Sequence, residues 1–120
     1  MSYTVLLCDD AVFMRCMLSN LVIESGYEVI GEASTGAEAV EQYRRLKPDV
    51  VLLDIVMPDK SGLVALREIR ELDPKARVVM CSSMGQRIFV DEALADGAKA
   101  FIVKPFTGSN VLDALKAAVN

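Results

Sequence analysis

Short aliphatic runs alternate with longer amphipathic stretches along the whole chain. Val5–Cys8, Val50–Leu53, Val78–Cys81 and Phe101–Val103 are apolar without interruption. Such runs suit strands buried on both faces of a parallel sheet. Glu28–Ala33 instead alternates polar and apolar residues, which predicts an edge strand. Between these runs the spacing changes to that of helices. Met14, Met17, Leu18, Leu21 and Val22 recur at i, i+3, i+4, i+7 and i+8, and Gly26 follows as a stop. Thr35-Gly36-Ala37-Glu38 is a capping-box pattern, and Val40, Tyr43 and Leu46 continue one face of the helix it opens. Leu63, Leu66 and Ile69 predict a third helix that stops near Asp73-Pro74. Val90, Ala93 and Leu94 predict a fourth, with Gly97 after it, and Val111, Leu112, Leu115 and Ala118 a fifth.

Five β-α units in strict alternation predict an α/β fold: a doubly wound, five-stranded parallel sheet with helices on both faces. A chain of 120 residues is long enough for one core without disulfides or metal, so residues 1–120 read as a single domain. No linker or low-complexity tract interrupts the alternation, and with the last helix reaching the final residues no output domain is expected. The first four residues carry no basic flank, so no signal peptide is expected. No apolar run approaches the roughly 20 residues needed to span a bilayer, so no membrane insertion is expected.

Charge and composition narrow the chemistry. Seventeen acidic residues against thirteen basic ones give a net charge of −4, which argues against a broad nucleic-acid surface. The chain has no histidine. That excludes histidine general bases, catalytic triads and imidazole pH sensing. Of the three cysteines, Cys8 and Cys81 end apolar runs and read as buried, reduced thiols in a cytoplasmic protein.

In an open parallel sheet, functional groups gather beyond the carboxyl ends of the strands. Asp9 and Asp10 follow the first strand, Asp54 the third, Ser82 and Ser83 the fourth, and Lys104 the fifth. Each has a bland reading alone: helix capping for Asp9-Asp10 and Ser82-Ser83, a turn for Asp54, a surface lysine at 104. Together they do not. Two carboxylates 4 Å apart at an effective dielectric near 20 repel by about 4 kcal/mol. Three such groups need compensation, and Mg²⁺ suits an all-oxygen donor set. A carboxylate beside Mg²⁺, a lysine and a hydroxyl is equipped to accept a phosphoryl group. Without histidine in the chain, that group must come from outside.

At this point the chain resembles the receiver domains of bacterial two-component response regulators. The resemblance rests on Asp9-Asp10, on the stretch from Asp54 through Pro58 to Gly62, and on Lys104-Pro105-Phe106. Around Phe13-Met14-Arg15 and Met84-Gly85-Gln86 it is similar to the single-domain chemotaxis regulators of that family. The resemblance implies strand order 2-1-3-4-5 and an Asp54 phosphoacceptor. It implies Mg²⁺ held by Asp10, Asp54 and the Val56 carbonyl, with Asp9 acting mainly through a water. Ser82 and Lys104 would bind the phosphoryl oxygens, and Lys104-Pro105 would be a cis peptide. Phe101 would be the rotating switch, on a partner face with Arg87, Val90 and Leu94. The partners implied are a chemotaxis histidine kinase, the flagellar motor switch protein and, as a further candidate, a dedicated phosphatase, all acting on a monomer. Catalysis would be limited to Mg²⁺-dependent self-phosphorylation and autodephosphorylation. The alternative is another stand-alone or excised receiver, a phosphorelay intermediate or non-flagellar regulator. This sequence departs from the best-known members in having Phe at 101, Ser at 82, and apolar residues at 56 and 84.

Overall fold

The computed structural model describes residues 2–120. Its elements alternate strictly. They are β1 (Thr4–Cys8), α1 (Val12–Glu24), β2 (Glu28–Ala33), α2 (Gly36–Leu46), β3 (Val50–Leu53), α3 (Gly62–Leu72), β4 (Val78–Ser82), α4 (Arg87–Ala95), β5 (Ala100–Val103) and α5 (Gly108–Val119). The five strands form one parallel sheet in the order β2-β1-β3-β4-β5. This is the architecture read from the sequence. No helix among the described residues is long and apolar enough to cross a membrane.

Successive strand residues point to opposite faces, so each strand feeds two cores. Leu6, Cys8, Val51, Leu53, Val78 and Met80 pack against α2, α3 and Ala93 of α4. Val5, Leu7, Val50, Leu52, Val79 and Cys81 pack against Leu18 and Val22 of α1 and Val111, Leu115 and Ala118 of α5. Continuous apolar runs in β1, β3 and β4 are the direct consequence. Burying one such aliphatic side chain is worth about 2 kcal/mol.

Two expectations need correction and one open choice is resolved. β5 is also an edge strand, so its apolar run is not buried throughout: Val103 is 46% exposed. The inner face of α4, left open by apolar residues on several of its sides, is Phe89 with Ala93. Ala93 is fully buried and Phe89 packs on the core, while Leu94 is 46% exposed. The capping box of α2 is half formed. Thr35 accepts the Glu38 N–H at 3.0 Å, but the Glu38 carboxylate takes the N–H of Ser34. The complete box caps α5 instead, between Thr107 and Asn110.

Candidate functional site

The pairing of β1 with β3 builds the centre of the site. Cys8 lies opposite Leu53, so the next residues, Asp9 and Asp54, emerge side by side at the carboxyl edge. The Asp54 N–H donates to the Cys8 carbonyl at 3.0 Å, which carries the ladder one step past the strands. Both aspartates are buried, while Asp10 is exposed. One oxygen from each of the three lies within 4.8 Å of the others. Lys104 begins two strands away, where its N–H donates to the Ser82 carbonyl. Two strand spacings are roughly 10 Å, a gap that a lysine and an aspartate span together. Its Nζ bonds Asp9 Oδ2 at 2.6 Å and Asp54 Oδ2 at 2.9 Å. Burial alone would lower the Lys104 pKa, but these hydrogen bonds and the two charges raise it above the ordinary lysine value.

The remaining carboxylate oxygens are held by backbone. Asp9 Oδ1 accepts from Ala11 N–H at 2.9 Å, and Asp54 Oδ1 from Val56 N–H at 3.2 Å. No buried side-chain polar atom among the described residues lacks a partner. Each carboxylate oxygen still has capacity for a second ligand. An all-oxygen set of three carboxylates fits Mg²⁺ better than a soft metal.

The loop after Asp54 is tied down at three points. Gly62 passes so close to the Asp54 carbonyl that a Cβ would collide with it, and its N–H bonds the Ile55 carbonyl at 2.7 Å. Asp59, at φ 69°, accepts the N–H groups of Gly36 at 3.0 Å and Ala37 at 3.1 Å. It therefore caps α2 from a different part of the chain. Lys60 pairs with Glu68 at 2.9 Å. Sequence reading assigned no role to Asp59, because a cap donated across 22 residues leaves no local signature.

The structure joins Asp9, Asp10, Asp54 and Lys104, while the Ser82 hydroxyl makes no hydrogen bond to any of their side chains. Ser82 is buried, and its hydroxyl accepts the Met84 N–H at 3.2 Å within its own loop. The Lys104-Pro105 peptide is cis. Phe101 is half-buried, level with Met80, and packs on the α2–α4 core with Met84 and Phe89. Arg87 is exposed and pairs with Asp91 at 3.4 Å, and Val90 is half-buried. Val56 is exposed. Between β5 and α5 lies a groove of about 590 Å³ lined by Phe101, Val103, Asp113 and Ala117 among others. Cys8 and Cys81 are buried and free, while Cys16 is exposed. Burial raises both buried thiols, Cys81 to about 12, so they stay protonated at neutral pH.

Comparison with known proteins gives one consistent answer. The model of the family described as "Response regulator receiver domain" matches residues 5–116. The chemotaxis protein CheY of Thermotoga maritima is 53% identical over 115 residues, covering 96% of each chain. CheY of Bacillus subtilis is 47% identical over the full length of both. Among solved structures, the CheX-CheY-BeF3-Mg+2 complex from Borrelia burgdorferi superposes with a TM-score of 0.93 at 38% identity. The match covers 96% of this chain and 87% of that one.

Proposed function

The chain belongs to the response regulator receiver domain family, is closely related to the CheY chemotaxis regulators, and we propose that it is a phosphorylation switch of chemotaxis acting through Asp54. The observation that carries this reading is Lys104 Nζ seated between Asp9 and Asp54 at the sheet edge. A phosphoryl group arriving there meets a carboxylate nucleophile and a fixed cation at once. An Asp54 oxygen bonds phosphorus as the bond to the donor's leaving atom breaks. That leaving group departs with the bonding electron pair. Lys104 then pairs with the phosphoryl oxygens. Asp9, Asp10, Asp54 and the Val56 carbonyl would hold Mg²⁺, which when bound neutralises charge on the transferring group. Ser82 must leave its bond to Met84 to reach the phosphoryl group, and this movement makes room for Phe101 to turn inward.

The switched surface is α4, β5 and α5, with Arg87, Val90, Leu94 and Phe101. The partners on this reading are a chemotaxis histidine kinase in the cytoplasm, the flagellar motor switch and a phosphatase. The Borrelia CheY was solved with CheX and Mg+2, which supports a regulatory partner and this metal. The full-length CheY relatives do not favour the relay or non-flagellar alternative. Phosphotransfer from a chemotaxis histidine kinase, followed by binding to a flagellar switch protein, tests the proposal. Binding is expected to tighten at least tenfold on phosphorylation. Equal binding of both forms would remove the switch.

On this reading Val56 and Met84 flank the path by which a water would reach the acyl phosphate, and neither side chain can hydrogen-bond that water. A long-lived phosphoryl group is therefore expected. Val56→Asn supplies a hydrogen-bonding group there and should shorten the half-life severalfold in an intact-mass time course. Unchanged decay would place the barrier elsewhere.

A further inference from the structure

No described residue donates a hydrogen bond to the Asp10 carboxylate, yet it lies within 4.8 Å of the Asp9 and Asp54 carboxylates. Its reach toward them therefore depends on where its backbone places the Cα. Helix capping does not fix that backbone, because Ala11 at the N-cap of α1 offers no side-chain bond. Two contacts do. One is the bond from Ala11 N–H to Asp9 Oδ1. The other comes from α1, where Arg15 Nη1 donates to the Asp9 carbonyl at 2.6 Å. That carbonyl opens the Asp9–Asp10 peptide, so holding it fixes the plane from which Asp10 projects. Arg15 is fixed in turn. Its Nε bonds Glu32 Oε1 on β2 at 2.8 Å, and its side chain is only 15% exposed. One planar guanidinium thus ties α1, β2 and the turn after β1, a task that uses its forked donors.

We propose that Arg15 is a positioning residue that holds Asp10 in place as a metal ligand, with Glu32 as its anchor. The proposal rests on the reading of Asp9, Asp10 and Asp54 as the Mg²⁺ site. Arg15 touches neither the acceptor oxygen nor, on this view, the ion. It acts through the Asp9 carbonyl, as outer-shell groups commonly orient ligands.

The sign of the effect separates this role from a purely electrostatic one. Calorimetric titration of Mg²⁺ into the full, metal-stripped chain, without any phosphodonor, supplies the measurement. Arg15→Gln should weaken Mg²⁺ binding about tenfold, the scale at which outer-shell substitutions act. Arg15→Lys keeps the charge but replaces the planar fork with a single nitrogen on a shorter reach, and should fall between. Glu32→Gln keeps an acceptor for Nε and should bind nearly as wild type. If Arg15 acted only by charge, Arg15→Gln would tighten Mg²⁺, because a positive neighbour is gone, and Glu32→Gln would weaken it. Unchanged or tighter binding in Arg15→Gln overturns the proposal, and Arg15→Lys decides if that variant fails to fold. Asp10→Asn is the separate control. If it binds Mg²⁺ as wild type does, the metal reading itself fails, and the positioning role with it.

Discussion

Asp54→Asn is expected to gain no phosphoryl group from acetyl phosphate, while wild type gains one in the presence of Mg²⁺ and none in EDTA. Intact mass reads the result directly. The substitution keeps the size and shape of the side chain, although its amide group then faces the Lys104 ammonium where Oδ2 stood. Asparagine fits the same space beneath Val56, and its carbonyl oxygen can still accept the Val56 N–H. What disappears is the anionic nucleophile, for which an amide is no substitute. The other carboxylates are poor replacements. Asp9 is more deeply buried than Asp54, at 1% against 6% exposed. Asp10 has no bond to the lysine. A single phosphoryl gain in Asp54→Asn would move the acceptor to another residue and discard the central assignment.

The second large effect concerns Lys104. Replacing it with methionine keeps most of the aliphatic volume but leaves two buried carboxylates facing each other. Removing one partner of a buried ion pair costs about 3 kcal/mol, or a fall of roughly 15 °C in the metal-free Tm. Added Mg²⁺ should recover much of this, because any cation bound there offsets the same repulsion. Mg²⁺ affinity should rise, since a competing positive charge is gone, while phosphoryl uptake falls. The lysine's pKa is raised on folding, so its stabilising contribution is complete below the ordinary lysine value of 10.5. It is lost only as pH climbs through the higher folded value. Wild type and Lys104→Met should therefore differ throughout the neutral range and converge only in strong alkali. Equal metal-free melting would mean the carboxylates tolerate each other without the lysine.

The fold was legible because its signal is distributed. Four apolar runs and five amphipathic stretches each repeat one instruction, and β1, β3 and β4 needed both faces apolar for two cores. Reading failed where position in the sheet, not local pattern, decides. Phe101–Val103 looks like an inner strand but occupies an edge, so Val103 meets solvent. Helix α4 has apolar residues on several sides, and only its packing shows that Phe89, not Leu94, faces inward. The site was legible where residues follow strands, as Asp9, Asp54 and Lys104 do. The partnership of Lys104 with both carboxylates depends on strand order. The roles of Arg15, Glu32 and Asp59 have no local signature and emerge only from contacts across 6, 17 and 22 residues.

The two-faced sheet also makes function a proofreader of folding. A slip of one residue between β1 and β3 would exchange which side chains enter each core. It would also offset Asp9 from Asp54 by about 3.3 Å along the strands. Lys104 could then no longer bridge them. A misregistered chain would lose its stability and its signalling centre in the same error, so no long-lived, wrongly folded molecule would carry a message.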